Sequence, residues 1–163
     1  MSREKLALGY MAKYRLLTEE ELEEFKDEFV KYLVVNGITA EEWERMKVED
    51  NDTAEKIFNL FSDVILEGVL RNVQFLELRS KSYIQAVQCL KDKMIMVAVS
   101  SDDPNLDLTA QVNMKDHLDS IKIHKGEKAY KESREEELFE MTTKGFQISQ
   151  GELFKALILA TVD

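Results

Sequence analysis

The sequence predicts an α+β fold: N-terminal helices, a small antiparallel sheet of three or four strands, and C-terminal helices. Three observations carry this. Up to about residue 70, apolar residues recur at helical spacing behind threonine and aspartate capping signals. Between 73 and 100, three short segments rich in β-formers follow one another through short connections. Beyond residue 128 the helical spacing returns.

Taken in order, Thr18 and Glu21 form a capping box, and the acidic run Glu19–Glu24 suits the positive end of a helix dipole. Leu22, Phe25, Phe29 and Leu33 then recur at helical spacing until Asn36-Gly37 ends the helix. Thr39 and Glu42 form a second capping box, opening a short helix with Trp43 and Met46. Asp52 is expected to cap a third helix, from about Thr53 to Leu70. Its apolar positions cover more than one face, so it should be packed on two sides.

"VQFLEL" (73–78), "SYIQAVQCL" (82–90) and "MIMVAVS" (94–100) read as strands of a meander, with "KDK" (91–93) as a tight turn. Pro104, the only proline, marks the loop after the third strand. Leu106, Leu108, Ala110, Val112 and Met114 alternate with polar residues, which favours a fourth strand. A helix from near Thr109 remains the alternative for 106–114, and "KDHLDS" looks helical either way. Residues 128–144 read as a mostly polar helix ended by Gly145. Ser149 and Glu152 read as a third capping box before a last helix that is apolar nearly all round. One domain is expected over 11–163, with residues 1–10 as an N-terminal extension and Met11 as an alternative start.

A chain of 163 residues, 44% apolar and 33% charged, fits a globular protein with its own core. The net charge of −10 repels a phosphate backbone, so no nucleic-acid partner is expected. No apolar run matches a membrane span and the start lacks a signal-peptide core, so no membrane association and a cytoplasmic location are expected. Cys89 is the only cysteine; it excludes an intrachain disulfide and reads as a buried structural thiol.

"DDPNLD" (102–107) resembles the start of a calcium loop from Asp103. Such a loop needs glycine at its sixth position and glutamate at its twelfth, where this chain has Leu108 and Met114. A strand-ending turn is expected instead. Phosphate-cradling glycine loops, a nucleophile elbow, a metalloprotease motif and paired zinc cysteines are all missing. His117 and His124 are expected to be exposed, with the Ile-Lys-Ile run between them breaking any continuous helix; no metal or other cofactor is expected.

Asp63 and Glu67, four apart on the most apolar helix, form the alternative site. Paired carboxylates can bind a metal or divide acid and base roles. The competing reading is a wet helix edge, or pairing with Arg71. Lys122, Lys125, Lys128, Lys131 and Arg134, with Tyr130 among them, can address RNA or an acidic partner. A solvated helix laced with ion pairs, its field cancelled by Glu135, Glu136 and Glu137, is the stronger account. In the last helix Leu153, Phe154, Leu157, Ile158 and Ala160 cover one broad face, which Ala156 and Leu159 extend towards the other. That surface suits a contact between two copies, or a groove between the sheet and the third helix.

Five blocks have a further meaning: "MAKYRLLTEEELEEFKDEFVKYLVVNGI" (11–38), "FSDVILEGVL" (61–70), "LDLT" (106–109), "GEKAYKESREEELFEM" (126–141) and "GELFKALILA" (151–160). In this order they resemble a family of short bacterial proteins catalogued as a domain of unknown function. The similarity runs from about residue 11 to the C terminus. The resemblance implies no activity, cofactor or catalytic residue. The leading expectation is therefore a non-catalytic cytoplasmic interaction module with a protein partner or a second copy. The rivals are a small enzyme or metal-dependent site on Asp63 and Glu67, and acidic mimicry of nucleic acid by the run from Glu19 to Glu28.

Overall fold

The computed structural model describes residues 12–110 and 114–161. The expected extension over 1–10, Met11 and Val112 lie outside the described residues. The fold is α+β, and the chain divides into two compact units between Val69 and Leu70.

The first unit holds α1 (Glu19–Glu24), α2 (Lys26–Val35), α3 (Ala40–Glu49) and most of α4 (Asn51–Arg71). Both expected capping boxes are present, at Thr18/Glu21 and Thr39/Glu42. The single helix expected after Thr18 is instead two, interrupted at Phe25, whose φ of −101° and ψ of 22° leave the helical region. Hydrogen bonding continues across the break, from the Phe25 N–H to Glu21 and from the Phe29 N–H to the Phe25 carbonyl. Gly37, at φ 75°, turns the chain after α2, and the Ile38 N–H closes back on the Leu33 carbonyl at 2.8 Å. The cap of α4 is Asp50, not Asp52. The Asp50 carboxylate accepts from the Thr53 N–H and hydroxyl, so the helix starts two residues before the expected Thr53. Asp52 falls in the first turn, where its charge suits the helix dipole. Leu17, Phe29, Leu33, Phe61 and Leu66 form the core of this unit, and the Phe29 ring meets Trp43 edge-on at 5.1 Å.

Arg15 forks onto Glu21 with bonds of 2.7 and 3.0 Å. This bond, with that from the Thr18 N–H, outweighs partial burial and holds the Glu21 carboxyl at a pKa of about 2. A depressed carboxylate pKa stabilises the fold above the unfolded value and loses that contribution as pH falls. The loss is therefore expected between about pH 4.5 and 2. Glu21→Gln should flatten this part of the acid limb in urea melts recorded against pH; an unchanged limb would contradict the assignment.

The second unit is built on one antiparallel sheet: β1 (Phe75–Arg79), β2 (Tyr83–Cys89), β3 (Lys93–Ser101), β4 (Ile121–Ala129) and β5 (Gln147–Ser149), in the order β4-β3-β2-β1-β5. The meander β1-β2-β3 is as expected. The sheet has five strands, not three or four, and helices alternate with strands in its second half: α5 (Arg134–Thr143) precedes β5, and α6 (Glu152–Ala160) follows it.

Residues 106–110 run as turns and bends, not as the expected fourth strand. Asp103 and Asp107 instead turn the chain, accepting from the N–H groups of Asn105 and Thr109, both at 2.9 Å. The alternation seen there arises because Leu106 and Leu108 both enter the core from a turn, pinned by the Leu108 N–H on the Lys81 carbonyl. "KDHLDS" contributes only the short 3-10 turn Met114–His117. β4 is the lysine-rich stretch read as helical. Its Ile121 and Ile123 pair with Ser101 and Val99 at the rim of the sheet.

α6 lays Leu153, Phe154 and Leu157 on a sheet face made of Phe75, Ile84, Ala86, Val97, Val99 and Ile121. Ser149 does not cap it. Ser149 belongs to β5 opposite Phe75, and its hydroxyl accepts the Gly151 N–H at 3.1 Å. Gly151 takes the N-cap position at φ 90° and ψ 13°.

Candidate functional site

Asp63 and Glu67 share a face of α4 and hold the segment that precedes α1. Asp63 accepts the backbone N–H groups of Lys13 and Tyr14 at 2.9 and 3.2 Å. Glu67 accepts the Tyr14 hydroxyl, with the Lys13 ammonium 3.9 Å away. Just before Asp63 the Ser62 hydroxyl accepts the Leu17 N–H, and Leu17 is buried in the core. The two carboxylates thus bind the chain's own backbone and a phenol.

Glu67→Gln keeps an acceptor for Tyr14 and should change stability by less than about 1 kcal/mol. Asp63→Ala leaves two backbone donors without that acceptor and should cost about 1–2 kcal/mol. Urea unfolding of both variants checks the order. A far larger loss in Glu67→Gln, or a metal carried by the wild type and lost in that variant, would favour the catalytic reading of the pair.

Among the described residues, no three histidine, cysteine or carboxylate side chains are grouped so as to hold a metal. An open cleft of about 270 Å³ lies where β3 ends and β4 begins, lined by Asp102, Asp103, Asp119 and Lys122 with Ser100 and Ser120. The turn bonds of Asp103 and Asp107 explain the incomplete calcium pattern. The Thr109 hydroxyl and N–H also hold the Asp107 carboxyl below its usual range. His117 ends the 3-10 turn and His124 lies exposed on β4, in different elements.

Of the last-helix residues proposed as an interface, Leu153, Phe154 and Leu157 are buried against the sheet and Ile158 packs beside them; Leu159 alone stands 73% exposed. The helix covers its broad apolar face within its own unit, because residues three and four apart meet a flat β surface.

One heavily bonded polar group went unread in the sequence. Arg134, expected in a solvated basic stretch, is largely buried at the start of α5. Its guanidinium donates to the carbonyls of Leu70 (2.9 Å), Val73, Cys89 (3.2 Å) and Leu90 (3.2 Å). The Tyr130 hydroxyl donates to the same Leu90 carbonyl at 2.7 Å. Burial pushes the Tyr130 phenol up to about 12 and the Cys89 thiol up to about 11, the latter partly offset by Arg134. Cys89 is buried and protonated, an inert packing thiol. Burial would raise the Glu137 carboxyl, but the Lys128 ammonium and the Lys131 N–H, each at 2.8 Å, outweigh it and lower its pKa. The one legible signal was Ser133, a helix cap that sets Arg134 in the first turn.

β4 forms one rim of the sheet. Among the described strands it pairs with β3 alone, and it is exposed from His124 to Ala129. No helix among the described residues is long and apolar enough to cross a membrane.

These features define an α+β protein with a five-stranded antiparallel sheet, whose buried polar groups chiefly bind its own backbone. The chain belongs to a family of unknown function (DUF6495), matched over residues 11–161. No curated protein and no solved structure matches it.

Proposed function

We propose that the protein is a non-catalytic cytoplasmic module that binds another protein through the open edge of β4. The supporting observation is the strand itself. Nine residues long, it offers on its outer side the backbone donors and acceptors that β3 does not use. An extended segment of a partner can complete such a ladder. The clamping role of Asp63 and Glu67 favours this reading over a carboxylate enzyme. Leu159 alone offers too little apolar surface for a stable dimer through α6.

A photo-crosslinking residue at Lys125 in the full chain, expressed in its native cells, is expected to yield a discrete protein adduct. The same residue at Glu44, exposed on α3, should not. No adduct, or the same adducts from both positions, would overturn the reading.

A further inference from the structure

We infer that the β4 edge selects an acidic extended segment with carboxylates about three residues apart, an inference that rests on the binding reading above. Three lysines lie on β4 at intervals of three: Lys122, Lys125 and Lys128. On a helix this spacing makes no clean stripe. On a strand it places Lys125 on the face opposite Lys122 and Lys128, because successive side chains alternate. An antiparallel partner strand with acidic residues at the same interval brings one carboxylate opposite each lysine, on the matching face.

The surroundings locate the available charge. Lys128 is already bonded to Glu137 at 2.8 Å, and Glu127 is paired with Lys93 at 2.9 Å. Asp102, Asp103 and Asp119 line the cleft beside Lys122. Lys122 and Lys125 hold no ion pair among the described residues, so the uncompensated charge centres on Lys125. Lysines on an open edge repel other cationic edges. A second copy docked edge to edge about Lys125 would set Lys125 against Lys125 and Lys122 against Lys128. The same charges favour an acidic strand, with the partner specified by charge as much as by backbone pairing. The chain's net charge of −10 opposes such a partner at long range, but salt screens that field beyond about 8 Å while the contacts persist.

The probe is a nine-residue threonine peptide with glutamates at positions 2, 5 and 8, titrated into the full chain and followed by backbone amide NMR. Its counterparts carry lysine or serine at those positions, or glutamates at 2, 4 and 6. Shifts are expected on β4 and β3, with affinity falling as salt rises. The combined Lys122→Glu and Lys125→Glu change should weaken binding by about tenfold or more. Both positions are exposed, and melting curves confirm that the variant folds. The lysine peptide should not bind, and the 2, 4, 6 peptide should bind more weakly. Equal binding of the serine peptide, shifts away from β4, or tighter binding of an RNA oligonucleotide would overturn the acidic preference. If crosslinking at Lys125 captures a protein and the acidic peptide fails to bind, this inference falls and the module reading stands. If neither binds, both fall.

Discussion

Gly151→Ala should destabilise the protein by about 2–4 kcal/mol, from two additive causes. The backbone at Gly151 has φ 90°, a left-handed geometry that costs an L-residue about 1–2 kcal/mol. A Cβ there would also lie 2.6 Å from two atoms of the Phe75 ring. That ring has little room to yield, being buried in the core 5.7 Å from the ring of Phe154. The sharp turn from β5 into α6 thus depends on a residue without a side chain. Urea unfolding measures the loss. Repeating it in a Phe75→Leu background separates the causes: the clash should shrink, while the backbone cost of about 1–2 kcal/mol should persist. A loss below about 0.5 kcal/mol in the wild-type background, the size typical of neutral surface changes, would contradict this account.

Arg134→Ala is expected to cost about 2–4 kcal/mol, since it removes charge-assisted bonds to four carbonyls in a poorly hydrated place. These acceptors lie at the end of α4, in the connection to β1 and at the end of β2. One planar cation therefore joins three chain segments to the start of α5. Arg134→Lys should recover less than half of the loss, because an ammonium cannot reproduce the fork of a guanidinium. Hydrogen exchange should show the last turn of α4 fraying first. Full rescue by lysine would mean that charge alone matters there. Tyr130→Phe, which removes one neutral bond to Leu90, should cost only about 1 kcal/mol.

The legible parts of this chain were those whose physics is local. The capping boxes at Thr18 and Thr39, the glycine after α2 and the three meander strands depend on residues only a few positions apart, and each forms as read. Family membership was legible for a related reason, since the order of sequence blocks needs no geometry. Position-level errors arose where two nearby residues could serve the same purpose, as with Asp50 and Asp52 at the start of α4.

The rest was decided by contacts between distant residues. The alternation of Leu106 and Leu108 resembles a strand, yet both side chains fill a core built from β1, β2, β3 and α6. The lysines of 122–128 read as part of a solvated helix laced with ion pairs, but Ile121 and Ile123 pair with the edge of β3. Ser149 had the pattern of a cap and was taken by a strand. Arg134 read as a surface charge because its partners are carbonyls, which every residue has and no sequence pattern marks. The sequence by itself determined the α+β class, the capped starts of α1 and α3 and the three central strands, because propensity and capping act within a few residues. Only the tertiary structure decided the two outer strands, the burial of α6 and the carbonyl bonds of Arg134. In each case the deciding energy comes from backbone pairing or apolar burial between residues far apart in the chain.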